Sequence, residues 1–230
     1  MADRPFVVVF ALYPRLTQLD FTGPFEVFAS TPGVRVVTAS REGGELLSDK
    51  GLSFAGLTRL ADVPACDLIC VPGGVGMAEA VEDAAYLAEV RRLAAGARYV
   101  TSVCTGSLIL GAAGLLKGRR AASHWAWRDR LSLFGAEPDP ARVVRDGHVI
   151  TGGGVTAGID FALTVVAELF GPELAQAVQL SIEYAPEPPY QAGRPETAPA
   201  AVYDAVFSSY ARRAPERDRV LAAAAKALEG

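Results

Sequence analysis

The sequence has 230 residues, half of them hydrophobic, and a formal net charge of −4 at pH 7. This length allows one large core, whereas the acidic balance without a basic cluster argues against nucleic-acid binding. No apolar run is long enough to span a bilayer, and the apolar run near the N-terminus is too short for a signal peptide. Three cysteines without framework spacing and only two histidines indicate free thiols and no metal site. We therefore expect a cytoplasmic protein.

Strands alternate with helices in the hydrophobic pattern. Continuous apolar runs, typical of strands buried on both faces of a parallel sheet, are found at 6–12, 34–39, 67–71 and 98–103. Helical patterns are found at 16–28, 83–95, 125–134, 156–170, 172–182, 200–213 and 217–228. Gly23-Pro24 should break or kink the first helix, and Pro215 should separate the last two. The alternation predicts a mostly parallel α/β sandwich.

Shorter signals complete the chain. Hairpins are predicted at 46–54 and around Asp146-Gly147, and a short strand at 120–122. The segment 185–199 is rich in proline and polar residues and should be an extended loop. We expect one domain over residues 1–230, in which 186–230 form a C-terminal loop and helical extension.

Cys104 lies where a predicted strand runs directly into a small-residue helical segment. A nucleophile at such a turn, with small residues two positions before and after it, is the nucleophile-elbow pattern, here with Ser102 and Gly106. The N–H groups and dipole at a helix start favour a thiolate. Cys66 and Cys70 lie in or at the mouth of an apolar strand and fit buried structural thiols. The position of Cys104 therefore predicts catalysis.

Two glycine-rich loops also follow predicted strands, and ligands bind at such strand ends. Gly73 and Gly74 follow the strand at 67–71, and the N–H groups of Gly74 and Thr105 could form an oxyanion hole. Gly152-Gly153-Gly154 is expected to support the elbow by close backbone packing. The same glycines match G-x-G-x-x-A, but the helical pattern up to Ile182 leaves no returning strand for a nicotinamide site.

The histidines are ambiguous partners for a thiolate. His124 is a candidate base or a hydrogen-bonded structural residue, and spacing alone does not distinguish the two. His148 follows the turn signal Asp146-Gly147 and is expected to be solvated.

Five stretches carry a resemblance over nearly the whole chain. They are Gln18 to Pro24, Val71 to Gly74, Thr101 to Ser107, Thr151 to Phe161, and Glu183 to Pro186. The chain resembles the ThiJ/PfpI superfamily and, within it, the isocyanide hydratase family. The resemblance implies a flavodoxin-like three-layer α/β/α sandwich and a homodimer with its active site near the interface. It also implies that no cofactor is used and that isocyanides are hydrated to N-substituted formamides.

The resemblance also implies roles for individual residues. The family nucleophile falls on Cys104, its acidic partner on Asp20 and its active-site threonine on Thr105. Thiolate and carboxylate in contact should share one proton, so Asp20 is expected to donate a proton to the attacked carbon. Glu26 is a rival acid expected to face elsewhere. Tyr184 is expected to help line the pocket, which should be mostly apolar to suit a small apolar isocyanide.

Two alternatives stay open at this point. Cys104 could be a redox- or ligand-sensing thiol in a protein that is not an enzyme. It could also be the nucleophile of a cysteine hydrolase or deglycase, which would need a better-placed base than the sequence shows.

Overall fold

The computed structural model of the protein describes residues 4–228. The strands are β1 (Phe6–Leu12), β2 (Val34–Ser40), β3 (Gly44–Leu47), β4 (Ser53–Arg59), β5 (Leu68–Val71), β6 (Tyr99–Val103), β7 (Arg120–Ala121), β8 (Glu137–Pro138), β9 (Val143–Asp146) and β10 (Val149–Gly152). The helices are α1 (Gln18–Ala29), α2 (Met77–Glu82), α3 (Ala84–Gly96), α4 (Gly106–Ala112), α5 (Ala157–Phe170), α6 (Pro172–Ser181), α7 (Ala200–Ala211) and α8 (Ala214–Ala227). Among residues 4–228, no helix has the length and hydropathy needed to cross a membrane.

Eight strands form one sheet in the order β3-β4-β2-β1-β5-β6-β10-β9. All neighbours are parallel except the edge hairpins β3/β4 and β9/β10. Helices α1 and α5 contact one face, whereas α3 and α4 contact the other. This is the predicted three-layer α/β/α sandwich. Its strands β1 and β5 are apolar throughout because both faces of the sheet are covered, and β1 has no exposed residue between Val8 and Leu12.

The predicted strands and hairpins are confirmed, but the helix predictions at 125–134, Pro215 and Pro24 are corrected, and one further helix is present. Residues 125–134 form turns and a 3₁₀ helix at Arg128–Phe134, which ends at Gly135 with φ 69°. Helix α2 was not predicted. Pro215 does not separate the last two helices: it lies in the first turn of α8, where its missing N–H needs no partner.

Helix α1 is continuous through Pro24, contrary to the predicted break. The pyrrolidine ring packs against Gly158 at the start of α5, where an added Cβ would lie 2.9 Å from Cδ of Pro24. A Cβ at Gly23 would in turn lie 3.1 Å from Ile159. Close contact between α1 and α5 therefore compensates for the hydrogen bond that Pro24 cannot donate.

The C-terminal extension folds back onto the sandwich. The segment 185–199 contains no helix or strand, as predicted. Helix α8 then packs against α2, α4 and the 3₁₀ helix, and it buries Arg217, Val220 and Leu221. Helix α7 buries none of its residues. The extension thus places α8 beside the loops that follow β5 and β6.

Gly106 lets the elbow helix approach the end of β5. A Cβ at this position would lie 2.0 Å from the carbonyl oxygen of Val71. We predict that Gly106→Ala lowers the free energy of unfolding by about 2 kcal/mol or more, because the core cannot absorb the overlap without backbone shifts. Urea denaturation measures this.

The matched control is Gly96→Ala at the end of α3, where an added Cβ meets nothing within 4 Å. Its free energy of unfolding should stay within about 1 kcal/mol of the wild type. Equal stability of the two variants would contradict the packing argument.

Candidate active site

Cys104 occupies the turn between β6 and α4 in a left-handed conformation, with φ 56°. Such a conformation is strained for a residue with a side chain and persists only where the surroundings hold it. Here the Cys104 N–H donates to the carbonyl oxygens of Gly152 at 3.1 Å and Gly153 at 2.9 Å. The hydroxyls of Ser107 and Ser123 donate to its carbonyl oxygen at 3.0 and 3.1 Å. The predicted elbow is present, and Gly153 supports it directly.

The Cys104 sulfur is buried but faces backbone donors. Burial raises the pKa of the Cys104 thiol, and the charge of Asp20 raises it further. The N–H groups of Thr105 and Val155 hydrogen-bond to the sulfur and act in the opposite direction. The turn thus supplies two donors that stabilise a thiolate.

Asp20 lies in the first turn of α1 and has no exposed surface. Its Oδ2 accepts a hydrogen bond from the N–H of Gly73 at 3.0 Å, whereas Oδ1 has no partner within residues 4–228. Burial raises the pKa of Asp20 to about 7, although its interactions with Cys104 and Gly73 lower it. Glu26, the rival acid, is exposed.

Asp20 and Cys104 form a coupled pair in which a negative charge on one opposes a charge on the other. The pair therefore holds at least one proton at neutral pH. Because the pKa of the thiol is raised well above its usual value and that of Asp20 to about 7, Asp20 loses its proton before Cys104 does. A thiolate beside a neutral carboxyl group is the tautomer of the singly protonated pair that combines a nucleophile with an acid. In that tautomer the carboxyl proton belongs on Oδ1, the oxygen without a donor within residues 4–228.

Gly73 and Gly74 bring the loop after β5 against this pair. A Cβ at Gly73 would lie 2.5 Å from the nitrogen of Thr105 and 2.8 Å from Oδ2 of Asp20, so only glycine fits there. The N–H of Gly74 donates to Oγ1 of Thr105 at 3.0 Å. That N–H is therefore engaged within the protein, so its predicted oxyanion role requires the Thr105 side chain to turn away.

His124 is buried beside the elbow as a neutral imidazole. Burial lowers its pKa to about 4, and the neighbouring Arg217 contributes. Its Nδ1 accepts from the N–H of Ala126 at 3.2 Å, so the hydrogen belongs on Nε2, which lies 3.5 Å from the hydroxyl of Tyr210. These contacts fit a structural histidine better than a base. His148 is exposed, as predicted.

Tyr184 does not line the Cys104 cavity, contrary to the prediction. Its hydroxyl lies 3.3 Å from both carboxylate oxygens of Asp160, which also pairs with Arg142. Its position after α6 directs it to the α5 surface.

A cavity of about 130 Å³ opens onto Cys104, and its lining corrects the expectation of a mostly apolar pocket. Charged side chains from two distant parts of the chain contribute to it: Asp49 and Lys50 from the β3–β4 turn, and Arg213 and Arg217 from the C-terminal extension. The other lining residues are Thr17, Gly74, Val75, Thr105, His124, Trp127, Val155 and Tyr210.

Sequence reasoning missed several of these residues. Val155 acts through its backbone N–H, so the identity of its side chain does not indicate this role. Its position directly after the glycine-rich loop, next to Gly154, could have indicated it. Tyr210, Arg213 and Arg217 reach the cavity through the fold of the extension. Within the described part of the chain, no group of three or more His, Cys, Asp or Glu residues is arranged to hold a metal ion.

Comparisons with known proteins agree with this fold. The model of the DJ-1/PfpI family matches residues 7–168. An isonitrile hydratase of Pseudomonas putida is 54% identical over 195 residues, which are 85% of this chain and 86% of that protein. The crystal structure of a ThiJ/PfpI family protein from Pseudomonas syringae superposes with a TM-score of 0.92 and 42% identity, covering 94% of this chain and 90% of that one. Drosophila melanogaster DJ-1beta shares the fold, with a TM-score of 0.71 at 24% identity, over 79% of this chain and all of that one.

The raised pKa of Asp20 makes stability depend on pH. Its folded pKa of about 7 exceeds its ordinary value of 3.8, so the folded chain binds the extra proton and loses stability as pH rises through that interval. Relative to Asp20→Asn, the wild type should lose up to roughly 1.4 kcal/mol per pH unit between about pH 4.5 and pH 7. Urea denaturation of both proteins across this range measures the difference.

Asp67→Asn is the control of opposite sign. Hydrogen bonds from Arg4 and the N–H of Val7 outweigh burial and lower the pKa of Asp67. The difference in the free energy of unfolding between the wild type and Asp67→Asn should therefore shrink as pH falls. A difference between wild type and Asp20→Asn that does not change with pH would contradict a buried carboxyl group that stays protonated to about pH 7.

Proposed function

The chain is a member of the DJ-1/PfpI family, and on that basis we propose that it is an isocyanide hydratase, which adds water to an isocyanide to give an N-substituted formamide. The observation that carries the proposal is the buried pair of Cys104 and Asp20, a nucleophile and a proton donor. His124, the imidazole in the same cavity, accepts a hydrogen bond from the N–H of Ala126 and is not placed as their base. An isocyanide has an electrophilic carbon and no leaving group, so it needs these two functions. The 54% identity to an isonitrile hydratase supports the same reaction.

The first half of the reaction uses both members of the pair. The thiolate of Cys104 attacks the isocyano carbon and forms a carbon–sulfur bond. The proton of Asp20 passes to that same carbon, which leaves a thioimidate and an ionised Asp20. The negative charge thus moves from the sulfur to the carboxylate, and the pair never carries two charges.

The second half returns the site to its starting state. The Asp20 carboxylate takes one proton from water as the water oxygen adds to the thioimidate carbon. The remaining hydroxyl proton passes to the nitrogen, the carbon–sulfur bond breaks, and the thiolate leaves as the formamide forms. Asp20 is again protonated and Cys104 again a thiolate, so atoms and charges balance over the cycle.

Thr105 is placed to orient the reacting groups. Its Oγ1 accepts from the N–H of Gly74, which leaves the hydroxyl hydrogen available for the substrate nitrogen or the attacking water. Its backbone N–H points at the Cys104 sulfur. The same residue therefore serves both the nucleophile and the substrate, and Gly74 holds its hydroxyl oxygen in place.

We also propose that the protein works as a homodimer in the cytoplasm. Helix α7 buries none of its residues and exposes Val202, Val206 and Phe207, an apolar face suited to a second subunit. The three cysteines are free, which suits a reducing compartment. Sedimentation equilibrium should give twice the monomer mass. A monomer at micromolar concentration would contradict the proposed homodimer.

The proposed activity is tested by incubating the purified protein with cyclohexyl isocyanide and following the formamide by its absorbance or by mass spectrometry. Catalytic formation of N-cyclohexylformamide is the expected result. A protein that forms none, with this or other small isocyanides, would overturn the proposal and favour a sensing thiol.

Cys104→Ala should reduce formamide formation by roughly four orders of magnitude or more, because no other group replaces the attacking sulfur. The fold should remain, since the change removes one atom from a buried site. Cys66→Ala is the control: burial raises the pKa of Cys66 to about 12, so that thiol is unreactive and its loss should leave the rate unchanged. Normal turnover by Cys104→Ala would exclude the covalent mechanism.

A further inference from the structure

Arg217 is the only arginine or lysine that is buried within residues 4–228, with 8% of its surface exposed. Its guanidinium carbon lies 4.5 Å from the ring centroid of Trp127, and its Nη2 donates to the carbonyl oxygen of Val75 at 3.3 Å. Arg130 lies over the same ring, at 5.5 Å, but forms an ion pair with Asp218 at 3.0 Å. Arg217 has no carboxylate within 4 Å in that part of the chain.

A buried charge without a counter-ion is costly and rare unless it serves a ligand. Burial lowers the pKa of Arg217, and the positive charge of Arg213 lowers it further, whereas Tyr13, Glu79 and Cys104 raise it. The fold therefore keeps two guanidinium groups near each other, and among residues 4–228 no carboxylate forms an ion pair with Arg217. An anion brought by a substrate would relieve this arrangement.

Arg217 lies at the entrance of the cavity that contains Cys104. The cavity at Cys104 continues into an outer groove of about 540 Å³, and the two share Asp49, Lys50, Val75, Arg213 and Arg217 as lining. We call these five residues the neck. A substrate that reaches Cys104 through the groove passes between them.

The neck has an excess of positive charge. The Lys50 ammonium lies 3.2 Å from Oδ2 of Asp49, the one carboxylate of the neck, whose Oδ1 is buried without a partner within residues 4–228. In the outer groove, Glu79 pairs with Arg15 and Glu82 approaches Arg219. Glu216 is the remaining carboxylate of the groove lining, and it lies outside the neck. Arg213 and Arg217 thus remain available to an incoming anion.

We propose that the neck binds a carboxylate on the substrate, so that the preferred substrate is an isocyanide that carries a carboxylate a few bonds from its isocyano group. The inference rests on the proposed function. The isocyano carbon would lie at Cys104 while the carboxylate contacts the guanidinium groups of Arg217 and Arg213, which suit planar oxyanions. A purely hydrocarbon isocyanide would leave both unpaired.

A matched pair of substrates tests the proposal on the wild-type protein. They are 3-isocyanopropanoate and its methyl ester, which share the reacting group and the carbon skeleton and differ in charge. We expect kcat/KM for the acid to exceed that for the ester by about tenfold or more, and the ratio to fall as salt rises. A ratio of one or below would overturn the carboxylate site. Formation of no formamide from either compound would instead overturn the proposed function.

Variants assign the effect to the neck. Arg217→Gln should bring the acid-to-ester ratio close to one, and Arg213→Gln, at an exposed position, should lower it without risk to folding. Arg130→Gln is the control, since it contacts the same Trp127 ring from outside the neck, and it should keep the wild-type ratio. Arg217→Gln could instead lower kcat/KM equally for the acid and the ester and shift the pH profile of Cys104 alkylation. In that case Arg217 is a counter-ion of the thiolate and the proposal fails.

Discussion

Burial of a carboxyl group beside a buried thiol is the constraint from which the rest of the site follows. Asp20 has no exposed surface, and Cys104 has 5%. Because both groups are removed from water, two negative charges cannot be held there together. One proton must therefore stay with the pair at neutral pH. A site of this kind begins with a nucleophile and an acid in place, which suits addition to a carbon that has no leaving group.

Main-chain contacts hold Cys104 and Asp20 in place, and glycines let the chain segments approach closely enough to make those contacts. Four chain segments meet within the space of a few side chains: the start of α1, the loop after β5, the elbow and the loop after β10. A Cβ at Gly73 or Gly106 would overlap the backbone of a neighbouring segment. The strained φ of Cys104 is in turn held by hydrogen bonds that its N–H donates and its carbonyl oxygen accepts. The nucleophile is thus positioned mainly by main-chain contacts.

The sequence predicted the elements with strong local signals. The apolar run of β1 and the Asp146-Gly147 hairpin depend on neighbours in the chain, and both are confirmed. The prediction failed where a distant contact decided the outcome, as at Pro24, which continues its helix because Gly158 accommodates its ring. The same holds for the site. The elbow has a local pattern, whereas Arg217 reaches the cavity from α8. The apolar pocket was inferred from the substrate and not from the chain.

The central claim is that Asp20 keeps its proton up to a pKa of about 7 and can therefore donate it to the attacked carbon. Infrared difference spectroscopy between the wild type and Asp20→Asn, at about pH 6, tests this claim most directly. We expect the carbonyl band of a protonated carboxyl group in the wild type and its loss in Asp20→Asn. A carboxylate band for Asp20 at that pH would contradict the claim.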